Sequence, residues 1–276
     1  MRNGDVAKEL LKIGVAGLGA VGLDVARRIE TGIPGLVLTA IAVRDTDKAR
    51  RNLPQVGNSI AVEPLDALAQ TCDVVVECLP PAMFRTVASP VIERGKILMP
   101  LSVGQLLENW DLVTRAKQTG ARILVPTGAL LGLDAVRAAA EGTIRSVTMI
   151  TRKPPKGLDG ARYLVERGIS LKDLKEPLKV FDGSAREGAR GFPENVNVAA
   201  ALSLAGIGPD RTRLEIWADP ALDRNTHRIE VDADTARFSM TIENVPSVEN
   251  PKTGRITALS AVAALRGLVA ELKVGT

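Results

Sequence analysis

The first half of the chain alternates short apolar runs with segments in which apolar residues recur at helical spacing. Val21, Val25 and Ile29, for example, lie four residues apart and mark one face of a helix. The intervening runs are apolar almost throughout, which is typical of strands covered on both faces. The predicted strands, in chain order, are 12–16, 36–43, 60–62, 74–78, 97–101 and 123–125. This alternation predicts an α/β fold with a Rossmann-type, doubly wound parallel sheet.

The pattern changes after Pro126 and predicts a second α/β (α+β) domain on a largely antiparallel or mixed sheet. Phe238, Met240 and Ile242 alternate with polar residues, which predicts a strand with one buried face. The predicted strands are 147–151, 178–181, 212–218, 227–231 and 236–244, and the predicted helices include 133–140, 196–204 and 256–265. We therefore expect one domain over 1–126, completed by a C-terminal helix within 250–276, and another over 127–249.

The composition is that of a globular protein, with 45% hydrophobic and 25% charged residues in a chain of 276. These fractions exclude a disordered, collagen-like or disulfide-stapled protein. The net charge of +4 arises from interspersed acids and bases, so no nucleic-acid partner is expected. No segment approaches the roughly 20 apolar residues of a membrane span. We expect no membrane association and a cytoplasmic location, with Cys72 and Cys78 as thiols in a reducing compartment.

A glycine motif follows the first predicted strand and opens the first predicted helix, with the sequence Gly17-Leu18-Gly19-Ala20-Val21-Gly22. Gly17 allows a tight turn, Gly19 lets the backbone approach a pyrophosphate, and Gly22 lets the helix pack closely on the strand. The backbone N–H groups at the helix start, including those of Ala20 and Val21, favour phosphate binding. The alternative is a strand-to-helix turn without a ligand. In this context the motif predicts a dinucleotide-binding (Rossmann) domain over 1–126.

The second predicted strand ends at Arg44 and Asp45, where the choice between NAD and NADP is made in this fold. Asp45 lies 23 residues past Gly22, the distance at which a carboxylate accepts hydrogen bonds from the ribose of NAD. Arg44 favours the 2′-phosphate of NADP instead. Asp45 is equally well placed to cap the following helix. Both residues are candidate cofactor contacts, and the cofactor is predicted to be NAD or NADP.

His227 is the single histidine of the chain and follows a turn-rich segment at the start of a predicted strand. Hydride transfer to or from a nicotinamide also moves a proton at the neighbouring heteroatom, and imidazole suits that task. The alternative is a structural histidine. His227 is the candidate catalytic residue, which makes 127–249 the candidate substrate domain. No metal is expected because ligand spacing is absent, and the two cysteines are interpreted as core thiols rather than nucleophiles.

Two further stretches are unusual for structure alone. Asn195 and Asn197 both stand at the start of the predicted helix 196–204, where one amide suffices as a cap. They either cap the helix or project into a cleft between the domains. The small residues of Pro126-Thr127-Gly128-Ala129 would permit close approach by a ligand, or form an ordinary crossover turn.

Together these residues resemble the L-aspartate dehydrogenase family over about 12–268. The resemblance rests on the order and spacing of seven stretches: the glycine motif, Ser102-Val103-Gly104, Pro126-Thr127-Gly128-Ala129, Thr151-Arg152-Lys153-Pro154-Pro155, Phe192-Pro193-Glu194-Asn195-Val196-Asn197-Val198-Ala199-Ala200, Asn225-Thr226-His227 and Asn250-Pro251-Lys252-Thr253. It implies NAD(P)-dependent oxidation of L-aspartate to iminoaspartate, which then gives oxaloacetate and ammonia or enters NAD biosynthesis. It also implies a homodimer.

The resemblance implies site residues as well. The catalytic histidine of the family falls on His227, and its nucleotide-contacting alanine and asparagine fall on Ala129 and Asn197. The chain departs from the family in Cys78-Leu79-Pro80-Pro81, which follows the fourth-strand glutamate, and in having Thr127 where the family usually has serine. Both loops are expected at the nicotinamide end of the site, so the substrate is less tightly implied than the reaction type.

The expected mechanism places the substrate between the domains, with His227 as general acid/base for the amine. The two carboxylates of aspartate need cations, for which Arg152, Lys153 and Lys252 are candidates alongside their interpretation as solvated surface residues. Two alternatives remain open. One is a related dehydrogenase acting on a semialdehyde or a homoserine-like substrate. The other is a nucleotide-binding regulatory protein without turnover.

Overall fold

The computed structural model describes residues 9–193, 196–247 and 253–275. These residues divide into two compact units. The first comprises the described residues of Met1–Pro100 with Asp111–Leu124 and Val262–Lys273. The second comprises those of Leu101–Trp110, Val125–Ala261 and Val274–Thr276. The assignment of dinucleotide binding to 1–126 and of substrate chemistry to 127–249 stays a prediction.

The first unit is built on a six-stranded sheet in which every neighbouring pair of strands is parallel. Its strands are β1 (Leu11–Ala16), β2 (Leu36–Ala42), β3 (Ala61–Val62), β4 (Val74–Glu77), β5 (Ile97–Pro100) and β6 (Arg122–Ile123), in the order β3-β2-β1-β4-β5-β6. The helices that connect β1 to β5 in turn are α1 (Ala20–Glu30), α2 (Thr46–Asn52), α3 (Leu68–Thr71) and α4 (Phe84–Glu93). All residues of β4 and β5 are buried, as the continuous apolar runs predict for strands covered on both faces.

Two of the three glycines in the turn between β1 and α1 have no room for a side chain. A Cβ on Gly17 would lie 2.7 Å from the backbone oxygen of Cys78, and Gly17 has a φ of +90°. A Cβ on Gly22 would lie 2.0 Å from the backbone oxygen of Gly17 and 3.1 Å from the Cβ of Cys78. A Cβ on Gly19 would meet no atom within 4 Å. Gly17 and Gly22 are therefore required by packing, whereas Gly19 borders open space.

The second unit is built on a five-stranded mixed sheet with the order β11-β10-β7-β9-β8. Its strands are β7 (Ile144–Lys153), β8 (Leu178–Ser184), β9 (Thr212–Ala218), β10 (Thr226–Ala233) and β11 (Arg237–Glu243). The β7–β9 pair is parallel and the other pairs are antiparallel. This topology and the parallel sheet of the first unit confirm the predicted fold class.

The helices α5 (Gly104–Glu108), α7 (Leu133–Ala140), α8 (Arg162–Glu166), α9 (Ala185–Gly191) and α10 (Asn197–Ala205) belong to the second unit. The remaining helices are α6 (Trp110–Thr119) and α11 (Ile256–Val269). Residues Val198 to Ser203 of α10 are all buried, and α10 packs on α7, α9 and β9. A helix that is apolar all round is buried all round. None of the helices in the described part of the chain is long and apolar enough to cross a membrane.

Strand β10 has a buried face and an exposed face. His227, Ile229, Val231 and Ala233 are buried, while Arg228 between them is exposed. Successive side chains of a strand point to opposite faces, so this alternation places the histidine on the core side of the sheet. The alternation of buried and exposed residues along β10 thus determines that the candidate catalytic residue is buried.

One sequence prediction is wrong, and one helix has no counterpart among the predictions. The face of β11 formed by Phe238, Met240 and Ile242 is half-buried rather than buried, because β11 is the edge strand of its sheet. Helix α9 was not predicted, although Ser184 and Glu187 form a capping box at its start. The sequence of α9 contains two glycines and no strong apolar stripe, so periodicity did not reveal it.

Gly22→Ala is expected to destabilise the protein by about 1–3 kcal/mol, because the added methyl group meets backbone atoms that cannot move aside. The matched control is Gly19→Ala in the same turn, where φ is −70° and the space is open. We expect the control to change the free energy of unfolding by less than about 1 kcal/mol. Thermal or denaturant unfolding measures both. Equal stability of the two variants would contradict the packing role of Gly22.

Candidate active site

A pocket in the second unit brings together residues that are far apart in the sequence. Its lining includes His227 on β10, Lys153 on β7, Asn197 on α10 and the loop Pro126 to Ala129. Asn225, Asn244, Thr253 and Thr257 complete much of its polar surface. Three residues predicted from the sequence, Ala129, Asn197 and His227, therefore line one pocket.

His227 is almost completely buried, with 3% of its surface exposed. Its Nδ1 lies 3.1 Å from the hydroxyl oxygen of Thr151, which is equally buried. Burial lowers the pKa of His227 to about 3, and the positive charge of Lys153 adds to this effect. The imidazole is therefore neutral in this structure at physiological pH, with Nε2 as the nitrogen left to meet a ligand.

Lys153 and Arg152 are neighbours in sequence but lie on opposite faces of β7. Lys153 is 5% exposed and lines the pocket. The Arg152 guanidinium donates to Asp219 at 3.2 Å and lies over the Trp217 ring at 4.9 Å, away from the pocket lining. Strand alternation therefore leaves Lys153 as a candidate for holding a substrate carboxylate and removes Arg152. The third candidate, Lys252, lies outside the described residues.

The loop Pro126-Thr127-Gly128-Ala129 is held at the pocket by two hydrogen bonds. The backbone N–H of Gly128, which has a φ of +66°, donates to the Ser260 hydroxyl at 3.0 Å. The side-chain amide of Asn244 donates to the carbonyl oxygen of Ala129 at 3.0 Å. The small residues of this loop thus border the pocket.

Asn197 is the first residue of α10 and does not cap it, because Val196 occupies the N-cap position without a side-chain hydrogen bond. The side-chain oxygen Oδ1 of Asn197 accepts a hydrogen bond from the backbone N–H of Gly104 at 3.1 Å. This bond joins two of the stretches on which the family resemblance rests. It also orients the rest of the Asn197 amide, which lines the pocket. Asn195 lies outside the described residues.

Two polar residues of the site were not found from the sequence. Thr151 contacts His227 because β7 and β10 pair in a register that no local pattern reveals. Asn244 is 3% exposed, and its side-chain oxygen has no hydrogen-bond donor among the described residues. A buried acceptor of this kind in a pocket wall suits a ligand that donates hydrogen bonds. The position of Asn244 at the end of the predicted strand 236–244 was the available signal.

The glycine turn of the first unit fits a dinucleotide. Gly19 is the N-cap of α1 without a side-chain cap, so the first backbone N–H groups of the helix remain available to an anion. The open space at Gly19 is where the pyrophosphate approaches in this motif. Ala20 and Val21 begin the helix and supply backbone N–H groups. The residues present therefore fit NAD or NADP.

Arg44 and Asp45 are exposed and follow β2, the strand next to β1. One Asp45 oxygen accepts from the Lys48 backbone N–H at 2.8 Å and caps α2. Capping uses one carboxylate oxygen, so it does not exclude a ribose contact by the other. Arg44 and Asp45 both stay candidate contacts of NAD or NADP.

The cysteines lie in the first unit and are both free thiols. Burial raises the pKa of Cys72, and burial with the nearby Glu77 carboxylate raises that of Cys78 well above its ordinary value. Such thiols are protonated at neutral pH and are poor nucleophiles. In the ranges that the structure describes, no group of three or more His, Cys, Asp or Glu side chains is placed to hold a metal ion.

Two protein-family models match the chain. Residues 134–268 match the model for the C-terminal domain of aspartate dehydrogenase, and residues 17–126 match the model for the NAD-binding domain of homoserine dehydrogenase. The second match covers the glycine turn and the whole parallel sheet from β2 to β6.

The chain is also similar to relatives named L-aspartate dehydrogenase over nearly its whole length. L-aspartate dehydrogenase of Bradyrhizobium diazoefficiens is 55% identical over 270 residues, which cover 98% of this chain and 96% of the relative. L-aspartate dehydrogenase 3 of Bordetella bronchiseptica is 52% identical, with 98% and 99% covered.

Among solved structures, aspartate dehydrogenase from Thermotoga maritima superposes with a TM-score of 0.73 at 23% identity, covering 96% of this chain and 99% of the other. An archaeal homoserine dehydrogenase solved with NADPH gives 0.60 at 12% identity, with 96% and 99% covered. These structures show a shared fold, and the two close relatives show the family. The chain belongs to the L-aspartate dehydrogenase family of NAD(P)-dependent amino-acid dehydrogenases, which confirms the resemblance, the enzyme class and the cofactor class predicted from its sequence.

Proposed function

We propose that the protein catalyses the reversible, NAD(P)-dependent oxidation of L-aspartate to iminoaspartate, which water converts to oxaloacetate and ammonia. The observation on which this proposal chiefly rests is that a buried imidazole and a buried ammonium, His227 and Lys153, line one pocket. The first supplies a group for proton transfer. The second supplies a positive charge for an acidic substrate. The near relatives named L-aspartate dehydrogenase support the same substrate.

His227 is the proposed general acid/base. The amine of aspartate must lose a proton before its lone pair can form the C=N bond while hydride leaves Cα. The Nε2 lone pair of a neutral His227 takes that proton. Water then adds to the carbon of the cationic imine and releases one proton to solvent, and the imidazolium returns its proton to the nitrogen. Ammonia leaves as the remaining O–H loses its proton and the C=O bond forms. The nicotinamide ring, when bound, accepts the hydride.

Lys153 is the proposed partner of one substrate carboxylate. Its burial means that a carboxylate there would form a charge-assisted bond screened little by water. The bound carboxylate would also offset the charge that lowers the pKa of His227. The pKa would then rise on substrate binding, toward the range in which an imidazole exchanges protons efficiently. The substrate thus prepares its own proton acceptor.

The proposed cofactor contacts are Gly17, Gly19, Ala20, Val21 and Gly22 with the pyrophosphate. The other contacts, at the ribose and the nicotinamide end, are Arg44, Asp45, Ala129 and Asn197. Arg44 would favour NADP and Asp45 would favour NAD. The open space at Gly19 and the uncapped start of α1 support the first group. Ala129 and Asn197 line the same pocket as His227, which supports their proposed contacts with the cofactor.

We further propose a homodimer and a cytoplasmic location, in keeping with the family to which the chain belongs. Both follow from the sequence-based expectations rather than from the geometry of the site. The small-molecule substrate is the partner for which the pocket itself gives support.

The proposed function is tested by supplying oxaloacetate and ammonia with NADH or NADPH and following the loss of absorbance of the reduced cofactor. We expect turnover with at least one cofactor, and slower or no turnover with aspartate semialdehyde or homoserine in the corresponding reactions. Faster turnover with either of those substrates would show that the preferred substrate is that compound and not aspartate. Cofactor binding without any turnover would point to a nucleotide-binding regulatory protein.

His227→Ala is expected to lower kcat by about 10²- to 10⁴-fold, the usual contribution of a positioned general acid/base. Binding of NADH or NADPH, measured by fluorescence titration, should change little because the glycine turn is intact. Near-normal turnover of the variant together with normal cofactor binding would eliminate the proposed role of His227.

Lys153→Met is expected to raise the KM for oxaloacetate about 10- to 100-fold, because a hydrogen bond to a charged group contributes roughly 1.5–3 kcal/mol. The control is Lys156→Met, which removes an exposed lysine three residues away and should leave KM unchanged. Since the charge of Lys153 lowers the pKa of His227, its removal should raise that pKa toward the ordinary value. NMR titration of the single histidine measures this shift, and a fall in the pKa would contradict the assignment.

A further inference from the structure

Thr151 and His227 face each other across two paired strands. The register of β7 and β10 places the two residues directly opposite one another, on the buried face of the sheet. The hydroxyl oxygen lies 3.1 Å from Nδ1, and the two residues are 2% and 3% exposed. Because both side chains are carried by the interior of a sheet, the contact is fixed by backbone pairing and shielded from water.

A neutral imidazole carries one N–H, and the partner of each ring nitrogen decides which nitrogen has it. If Nδ1–H donates to the threonine oxygen, the Nε2 lone pair is free to accept a proton. If the hydroxyl donates to Nδ1, an Nε2–H faces the ligand and the ring cannot act as a base. The ammonium of Lys153, which lines the pocket, favours a lone pair over an N–H on the pocket side.

We propose that Thr151 is the positioning residue of His227, whose hydroxyl oxygen accepts from Nδ1–H and so keeps the Nε2 lone pair available to the substrate amine. This inference rests on the proposed acid/base role of His227. After Nε2 takes a proton, both ring nitrogens are donors, and the threonine oxygen continues to accept from Nδ1–H. The hydroxyl therefore serves both protonation states without turning.

An uncharged partner differs in its effect from the carboxylate that often orients a catalytic histidine. A carboxylate would stabilise the imidazolium and raise the histidine pKa, whereas a hydroxyl orients the ring without adding charge. Lys153 is the charged residue for which the structure gives an effect on His227, and its charge acts in the opposite sense. With Thr151 as the partner, the pKa of His227 depends on the charges in the pocket.

The test compares Thr151→Val, which has nearly the same shape but no hydroxyl, with Thr151→Ser, which keeps the hydroxyl. We expect kcat to fall about 10-fold or more in the valine variant, while the KM for oxaloacetate stays within about 3-fold. The serine variant should retain most of the turnover. Thr148→Val removes a hydroxyl from the opposite face of the same strand and should have no effect on kcat.

The second readout is the tautomer itself. His227 is the only histidine, so protein labelled with ¹⁵N-histidine and freed of any tag gives one pair of ring nitrogen signals. We expect a protonated Nδ1 and an unprotonated Nε2 in the wild type and in Thr151→Ser. We expect a mixture of tautomers in Thr151→Val.

Two results would overturn the proposal: a wild-type spectrum with the proton on Nε2, or equal kcat in the valine and serine variants. If the valine variant does not fold, the wild-type spectrum and the serine variant still decide. The spectrum needs no substrate. A lack of turnover by the wild type would therefore count against the proposed function and leave the tautomer measurement valid.

Discussion

The antiparallel pairing of β7 with β10 is the constraint on which the candidate active site depends. It sets Thr151 opposite His227 and places Lys153 two residues further along the same face. A shift of the register by one residue would turn the histidine to the solvent-exposed face and replace it with Arg228 or Thr226. The backbone hydrogen bonds of the sheet, together with burial of the flanking apolar residues, therefore determine which side chains can do chemistry.

A lysine and a histidine that line one pocket disfavour each other's positively charged forms, and this repulsion determines how the site responds to charge. Burial and the nearby ammonium both oppose protonation of His227. The imidazole is thus a weak base in this structure. In the proposed mechanism a dicarboxylate substrate would change this balance, because it would bring negative charge into the pocket that Lys153 and His227 line. Recognition of the substrate and activation of the proton acceptor are, in the proposed mechanism, one electrostatic event.

In the first unit the requirement is different: the turn after β1 must leave the backbone N–H groups at the start of α1 available to an anion. Two glycines of the turn after β1 are required by contacts with backbone atoms of Gly17 and Cys78, and the third borders open space. The turn therefore combines tight packing behind it with exposed N–H groups in front of it. Nearby, the buried Glu77 accepts a hydrogen bond from the backbone N–H of Leu79 at 2.8 Å and shapes the loop Cys78-Leu79-Pro80-Pro81.

The sequence by itself determined the parallel sheet, the glycine turn and the existence of a second mixed sheet, because these follow from local periodicity and from the steric freedom of glycine. It also singled out His227, Ala129 and Asn197, chiefly through family resemblance. It did not identify Thr151 or Asn244, and it did not separate Lys153 from Arg152. Those assignments depend on strand register and on contacts such as the bond from Asn244 to Ala129, 115 residues away. Local pattern encodes the period of a strand, whereas only tertiary structure decides which strand lies beside it and which of its faces is covered.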